Sequence, residues 1–588
     1  MNDEAEIPVA LPAANADPAP APPQAQPIKP PKIKMLTLCD FRAFAGPAPV
    51  EIDLNGRNLL VFGENGAGKS SIFHALDGFF SVPSSAEDPS SRRKKLSTFA
   101  NRFTEKARCR VRTAGWEYDG KNYDVDEIVE VLVFKVQKAL EDNDILFVDG
   151  DLTASVQVTY VDRPDAIVWN HTRHPVDTDG GAEQSVVNGA YRKAVLDYRA
   201  LLETNFRHGD GPINLFDVCV RLLLRDFEVV YFGQRERICD LWTKLQQLID
   251  LESRGRKRLS AAEKTEVLSL LPIINGGLAD ALLLVHPLIG ATLEKLGWKD
   301  VEVVRFSVPG LTYDDKPAIP VAQRLQNKRV DVELKFRGQK IDRPQSFLNE
   351  ARLSALALAM YFAGRKVCAH TLQANTPNLM VLDDVLIGLD QSNRLPVLDL
   401  LADDFRDWQI VLLTHDRVWF EMARSYYRRH KADKFWGFVK VHSNDDPTHA
   451  PVVTPVDSSA AREALKDAKQ FLDQGHVNAA GNYARIATEL ALREFCEIKK
   501  VKVPYSQIPD KTPASDLLSA AKSFSSQSHG TYDIPLASIE MYSNILLNQL
   551  SHGGVPSVTQ HEVQGALTAV STLLFSLRVV ASGVRQEI

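Results

Sequence analysis

The largely apolar run from Met35 to Phe44 and the alternating Val50 to Leu54 predict two strands. Asn55-Gly56 then predicts a tight turn into a third strand, Asn58 to Phe62. Beyond Gly68 the period changes, and Ile72, Ala75, Leu76 and Phe79 fall on one face of a helix. Residues 121–161 carry strand-forming runs such as Ile128 to Phe134. Residues 186–300 read as helices, Tyr191 to Glu203 and Asn214 to Asp226 among them. Strand patterns return at Val301 to Val308 and Val330 to Phe336. From Phe347 to Thr414 helix, strand, helix and strand alternate, the pattern of a parallel α/β layer. From about Ser458 onward no strand candidate is left, and about five helices with polar connections complete the chain.

These patterns divide the 588 residues into a Pro/Ala-rich tail at 1–32, a strand-rich lobe at 33–185 and a helical insertion at 186–300, followed by a second α/β lobe at 301–456 and an all-α module at 457–588. The tail holds nine prolines and eight alanines but no aromatic residue, so it is expected to be disordered. Charged residues make up 24% and apolar residues 44%, an ordinary globular balance. No run is read as approaching the roughly 18 apolar residues of a membrane span, and no secretory pattern opens the chain, so no membrane partner is expected. Six cysteines without a CxxC pair argue against a cysteine zinc site and for a reducing, cytoplasmic home.

The chemistry begins at Gly63-Glu64-Asn65-Gly66-Ala67-Gly68-Lys69-Ser70, which matches GxxxxGK[ST] between a strand and a helix. Glycines let successive backbone N–H groups face phosphate oxygens, Lys69 reaches the terminal phosphates, and the Ser70 hydroxyl suits Mg²⁺. By chance the bare pattern turns up in on the order of one chain of this size in fifty. ATP or GTP, with Mg²⁺, is therefore the expected cofactor. Far downstream, Leu379 to Leu382 form an apolar run that ends in Asp383-Asp384, and Gln409 to Thr414 form another ending in His415-Asp416. Asp383 is placed to hold the metal, Asp384 to orient or deprotonate an attacking water, and His415 to meet the γ-phosphate or that water. The competing reading of an Asp pair at a strand end is helix capping.

With these segments in view, the chain resembles an ABC-type ATPase of the RecF/SMC group within the P-loop proteins. The resemblance rests on Leu38 to Phe44, Gly63 to Ser71, Ser346 to Ala363, Leu379 to Asp390 and Leu412 to Asp416. It implies a P-loop head that dimerises around ATP, each P-loop meeting the partner's signature. Ser346 and Asn349 would then touch the partner's nucleotide, and Ser71 and Arg42 would line the chain's own site. Asp390 corresponds to the D-loop and His415 to the switch histidine; Gln137 or Gln157 would serve as the Q-loop glutamine. The signature, Ser346-Phe347-Leu348-Asn349-Glu350-Ala351, lacks the usual glycine pair. Asp384 stands where SMC proteins carry Glu, as in RecF or the anticodon nuclease PrrC. The absence of a long coiled coil points to the compact members.

Nine basic residues crowd positions 92–112 against the single acid Glu105. Arg92, Arg93, Lys94, Lys95, Arg108 and Arg110 are candidate DNA or RNA contacts through phosphate neutralisation; a solvated loop is the alternative. A smaller cluster, Arg254 to Arg258, reads as surface. The C-terminal module balances 12 basic against 12 acidic residues from 458 on, and it is similar to HEPN-type bundles, some of which are RNases. Arg493, Glu497 and His552 could imitate the Arg/Glu/His set of PrrC-like nucleases, but an i,i+4 surface pair and a C-cap histidine are the favoured explanation. Three functional readings result: a nucleotide-gated dimeric clamp on nucleic acid in anti-phage defence or DNA repair, an ATPase-regulated RNase toxin, and an ATP-binding scaffold for a partner effector.

Overall fold

The computed structural model describes residues 30–81 except 47, 96–101 except 97, 111–113, 145–147, 154–177 except 171, 182–205, 213–251, 255–369 except 257 and 317, 376–430, 432–456, 459–504, 512–550 and 559–582. Most of the tail, the run Ile128 to Phe134 and the basic residues Arg92 to Lys95, Arg108 and Arg110 lie outside them.

Strands β1 (Ile33–Cys39), β2 (Val50–Asp53), β4 (Ser155–Tyr160) and β5 (Ile167–Trp169) form an antiparallel sheet in the order β2-β1-β4-β5. Strand β3 (Asn58–Gly63) belongs instead to a six-stranded sheet with β6 (Ala194–Asp197), β7 (Leu379–Asp383), β8 (Gln409–Thr414), β9 (Trp436–His442) and β10 (Val452–Val456). Its order is β10-β9-β3-β8-β7-β6, and all pairings but β9 with β10 are parallel. Both faces of β7 and β8 are covered, and every residue of the two strands is buried, so they read as continuous apolar runs. The buried Gln409 amide fastens the sheets together through Ile33 N–H, Ile33 C=O and Arg57 C=O.

Two helix-patterned stretches contain structure of another kind. Tyr191 to Glu203 is interrupted by β6, which extends the parallel sheet beside β7; Met380 to Asp383 pair with Ala194 to Asp197. The segment Ala-Val-Leu-Asp is too short to show a period of two against flanking helices, and burial on the sheet overrides its local preference. Asn214 to Asp226 holds one helical turn, Phe216–Val218, that runs into a π-helical turn, Cys219–Leu223. Strand β1 also stops at Cys39 rather than Phe44, because Asp40 and Arg42 take left-handed φ values of 47° and 52°. Phe41 and Phe44 then enter the core through a turn closed by their mutual backbone bonds.

Helix α1 (Lys69–Phe79) follows β3, and the long helix α2 (Ala261–Lys295) opens with a capping box between Ser260 and Glu263. By length and composition alone α2 would cross a membrane, unlike the sequence expectation, but its stripe Val267, Leu270, Ile274, Leu278, Ala281 and Val285 is buried in the core. It packs on α3 (Glu350–Ala369), while α4 (Gln391–Asp404) and α5 (Arg417–Arg429) come after β7 and β8. Past β10, α6 (Ala460–Asp473), α7 (Val477–Lys499), α8 (Ala514–Gln527), α9 (Asp533–Leu550) and α10 (Gln560–Ser582) gather around a separate core that includes Ala484, Ala491, Phe495, Leu536, Leu567 and Leu573.

Candidate nucleotide site

Parallel β3, β6, β7, β8 and β9 end at one edge of the sheet, and the carboxyl edge of such a sheet is where ligands bind. Gly63 to Ser70 leave the end of β3. Gly66 and Gly68 have φ of 86° and 101°, the left-handed region that a loop wrapped on its own amides requires, and Gly68 is the N-cap of α1. The free N–H groups at this helix start, together with the helix dipole, make an anion site. Lys69, 5% exposed, donates from Nζ to Gly63 C=O at 2.7 Å and Glu64 C=O at 3.0 Å. Burial lowers its pKa, and the nearby Asp384 and Asp383 oppose that.

The decisive contact joins segments 313 positions apart: Ser70 Oγ donates to Asp383 Oδ2 at 2.8 Å. The other carboxylate oxygen of Asp383 is buried and has no hydrogen-bond partner. Burial pushes the Asp383 pKa up to about 6; Asp384 and Asp197 add repulsion, while Ser70 and Lys69 work against the rise. Asp197 carries no motif in the sequence; it ends β6 directly opposite Asp383 and caps Ala200 N–H at 2.7 Å. A serine hydroxyl beside a carboxylate with one unmatched oxygen fits Mg²⁺, which takes one or two protein oxygens and completes its shell with phosphate and water. Among the described residues no cluster of three His, Cys, Asp or Glu forms a ready-made cation cage.

Asp384 has left-handed φ, 55°, so its side chain turns from the strand toward β8. Its Oδ1 accepts from the His415 backbone N–H and lies 2.9 Å from His415 Nδ1. Asp416 caps α5 by accepting from Trp419 N–H at 3.0 Å and pairs with Arg394 at 2.6 Å. Burial works to raise the Asp416 pKa, yet these bonds hold it below the usual range.

A cleft of about 520 Å³ opens over the loop. Asn65, Gly66, Gly68, Lys69, Ser70 and Ser71 form its floor, and Asp384 stands at one side. Arg42 lines it from the turn after β1, anchored by its N–H to Phe99 C=O and with its guanidinium 5.7 Å from the Phe99 ring. Ser71 Oγ accepts from Ala43 N–H at 3.3 Å and ties that turn to α1. Two further groups of lining residues belong to no motif. Asn101 donates to Arg42 C=O at 2.6 Å, and the loop between β9 and β10 brings Ser443, Asn444, Pro447, His449 and Pro451. The one signal for that loop is topological: β9 is the neighbour of β3, so the chain leaving β9 emerges beside Gly63.

Other candidates lie elsewhere. Ser346 and Asn349 are exposed and do not line this cleft; Asn349 caps α3 through Arg352 N–H. Asp390 is the exposed N-cap residue of α4 and makes no side-chain cap bond. Gln157 sits inside β4, paired with Thr37 and Val168; Gln137 is outside the described residues. Arg256 pairs with Glu263, an ordinary surface contact. Arg493 and Glu497 are not brought together as an i,i+4 pair. Arg493 bonds Glu489 and Thr512 C=O, whereas Glu497 pairs with Arg428 and Arg429 of α5, because that side of α7 faces α5. His552 is outside the described residues.

Residues 35–174 match the family model described as AAA domain. No curated protein matches the chain. Among solved structures, an Smc head with an extended coiled coil bound to the C-terminal domain of ScpA, from Pyrococcus furiosus, is 15% identical, covering 75% of this chain and 100% of its own, with a TM-score of 0.34. The SMC head domain from Thermotoga maritima is 12% identical, covering 72% and 99%, with a TM-score of 0.27. The recombination mediator protein RecF with ATP is 10% identical, covering 73% and 98%, with a TM-score of 0.36. Likeness at these values leaves the fold to rest on strand order and loop geometry. The matched segment holds the Gly-rich loop and α1, and β3 within it pairs with β8 and β9 of the parallel sheet.

Proposed function

We propose that the chain is an ATPase of the RecF/SMC kind, working as a nucleotide-gated clamp on nucleic acid. The observation that carries this reading is the 2.8 Å bond from Ser70 to Asp383 beside the Asp384–His415 contact at 2.9 Å. It gathers a phosphate loop, a metal carboxylate and a water-orienting acid at one sheet edge. Backbone N–H groups and Lys69 would hold the β- and γ-phosphates, and Ser70 with Asp383 would hold Mg²⁺, whose charge offsets that of the phosphates. Asp384, held by His415, would position the attacking water and take its proton.

Two features support closure by a second copy. Ser346, Asn349 and the 63%-exposed Phe347 lie on the surface of the single chain, free to meet a partner's nucleotide. The cleft is also partly open to solvent. Nucleic acid, anti-phage defence or DNA repair are the setting that the resemblance implies, with the basic residues 92–112 as the contact tested first.

The test is ATP hydrolysis with Mg²⁺, with and without duplex DNA, together with sedimentation of Asp384→Ala with and without ATP. Hydrolysis that DNA stimulates and that Asp384→Ala loses, with an ATP-dependent dimer of that variant, is expected. Hydrolysis unchanged in Asp384→Ala, or no ATP binding by the wild type, would refute the reading.

A further inference from the structure

We propose that the loop Ser443–Pro451 is the base-binding wall of the nucleotide site. This inference rests on the ATP-site reading and names the part of the ligand that the motifs leave unassigned. Strand β9 runs parallel to β3 with Val441 opposite Gly63, and β10 returns with Val452 opposite His442. The intervening loop must therefore leave the sheet next to the phosphate loop. It is packed against it, since a Cβ on Gly68 would stand 3.2 Å from Pro451 Cγ, and it also meets the turn after β1, where a Cβ on Gly46 would stand 3.8 Å from Thr448 C=O.

The loop is built as well as placed. Asp446 accepts from Thr448 N–H at 2.9 Å and from its hydroxyl at 2.7 Å, and its other oxygen lies 3.0 Å from His449 Nδ1. His449 N–H donates to Asp446 C=O at 3.1 Å, and Asn444 Oδ1 accepts from Asp446 N–H at 3.2 Å. These bonds fix one ring nitrogen of His449 and the carbonyl end of the Asn444 amide. The ring itself, at 67% side-chain exposure, borders the cleft without being covered by protein.

The chemistry of this wall differs from that of the floor. The floor offers N–H groups and Lys69 to phosphate, whereas the wall is Ser443, Asn444, Pro447, His449 and Pro451, with no lysine or arginine. An imidazole flanked by prolines offers a flat apolar surface, and the free amide N–H₂ of Asn444 offers a donor to a ring nitrogen or carbonyl. That set suits a heteroaromatic base stacked on His449 and is poorly suited to an anion. A cleft of about 520 Å³ lies in the range of ligand sites that take a whole small molecule.

Binding of Mg–ATP and of Mg–tripolyphosphate, which has no base, by the wild type, His449→Ala, His449→Phe and Asn444→Ala tests the proposal. Truncating a stacking side chain to Ala commonly weakens base binding by about 5- to 150-fold. His449→Ala is expected to weaken ATP by about tenfold and leave tripolyphosphate unchanged, with His449→Phe restoring ATP to within about threefold. Asn444→Ala is expected to weaken ATP by about three- to tenfold. Unchanged ATP affinity in His449→Ala and Asn444→Ala would overturn the proposal, and so would an equal loss for ATP and tripolyphosphate. Failure of the wild type to bind either ligand would overturn the ATP-site reading itself, which separates the two outcomes.

Discussion

Replacing Asp383 with Asn isolates the cost of keeping an ionised carboxylate at a dry strand end. The residue is 7% exposed, one oxygen accepts from Ser70 and the other has no partner. Burial first, and then Asp384 and Asp197, raise its pKa from the ordinary 3.8 to about 6. By linkage, a rise of that size makes the ionised carboxylate destabilise the nucleotide-free fold by about 3 kcal/mol. The sign is the reverse of the usual acid. Between the two pKa values the native state binds more protons than the unfolded state, so stability falls as pH rises toward 6 and the full penalty remains above it. Asn keeps the shape and the acceptor for Ser70 but carries no charge. Asp383→Asn is therefore expected to exceed the wild type by up to about 3 kcal/mol near neutral pH, and the gap should close by about pH 4. Urea unfolding in EDTA across that range, followed by the fluorescence of the buried Trp169 and Trp419, measures it. The same variant should lose most of the stabilisation that Mg–ATP gives the wild type. A variant no more stable at neutral pH, or one whose advantage does not depend on pH, would refute the reasoning.

Further substitutions address the frame around the site. Gly68→Ala forces Cβ into a left-handed residue, φ 101°, at 3.2 Å from Ala43 and Pro451, and should cost about 1–2 kcal/mol with a marked loss of nucleotide affinity, read by thermal melting and titration. Asp226→Ala removes the carboxylate that meets Arg237 at 2.9 Å, Arg365 at 2.7 Å and Arg225 at 3.3 Å; with the guanidiniums of Arg237 and Arg365 left buried, about 3–5 kcal/mol should be lost in urea unfolding. Glu497→Ala deletes the partly exposed pairs with Arg428 and Arg429 and should cost under about 1 kcal/mol, whereas Glu494→Ala, which strips the buried Ser459 hydroxyl of its acceptor, should cost about 1–3 kcal/mol in the same assay.

The legibility of each feature in the sequence tracks the reach of the interaction behind it. The phosphate loop is local: three glycines, a lysine and a serine act within eight positions, so spacing alone identifies them. The strands β7 and β8 are legible because burial on both faces leaves unbroken apolar runs. Strand β6 is not, since four residues between two helices show no period, and only pairing with β7 makes them a strand. Asn101 and His449 are illegible for a different reason. Neither belongs to a motif, and both reach the cleft by the course of the chain, Asn101 through its bonds to Asp40 and Arg42 and His449 through the neighbourhood of β9 and β3. The partners of Arg493 and Glu497 are illegible for the same cause. Spacing on a helix states which residues are neighbours on its surface, but a second element pressed on that surface decides the partners.

That second element is α5, and its two ends bear on the two halves of the molecule. Its first turn is set by Asp416, directly after His415, and Arg394 of α4 holds the same carboxylate. Its last turn carries Arg428 and Arg429 to Glu494 and Glu497 of α7, while Arg424 and Lys440 both reach Glu463 of α6. A 13-residue helix spans about 20 Å, so one rigid rod runs from beside His415 to the C-terminal bundle. The contacts at the far end are charged, and Arg424 is buried within them. Such contacts are directional and remake more readily than interdigitated apolar side chains. A change in the Asp384–His415 contact that moved Asp416 would therefore be felt first at Glu494 and Glu497, ahead of the apolar core of the bundle.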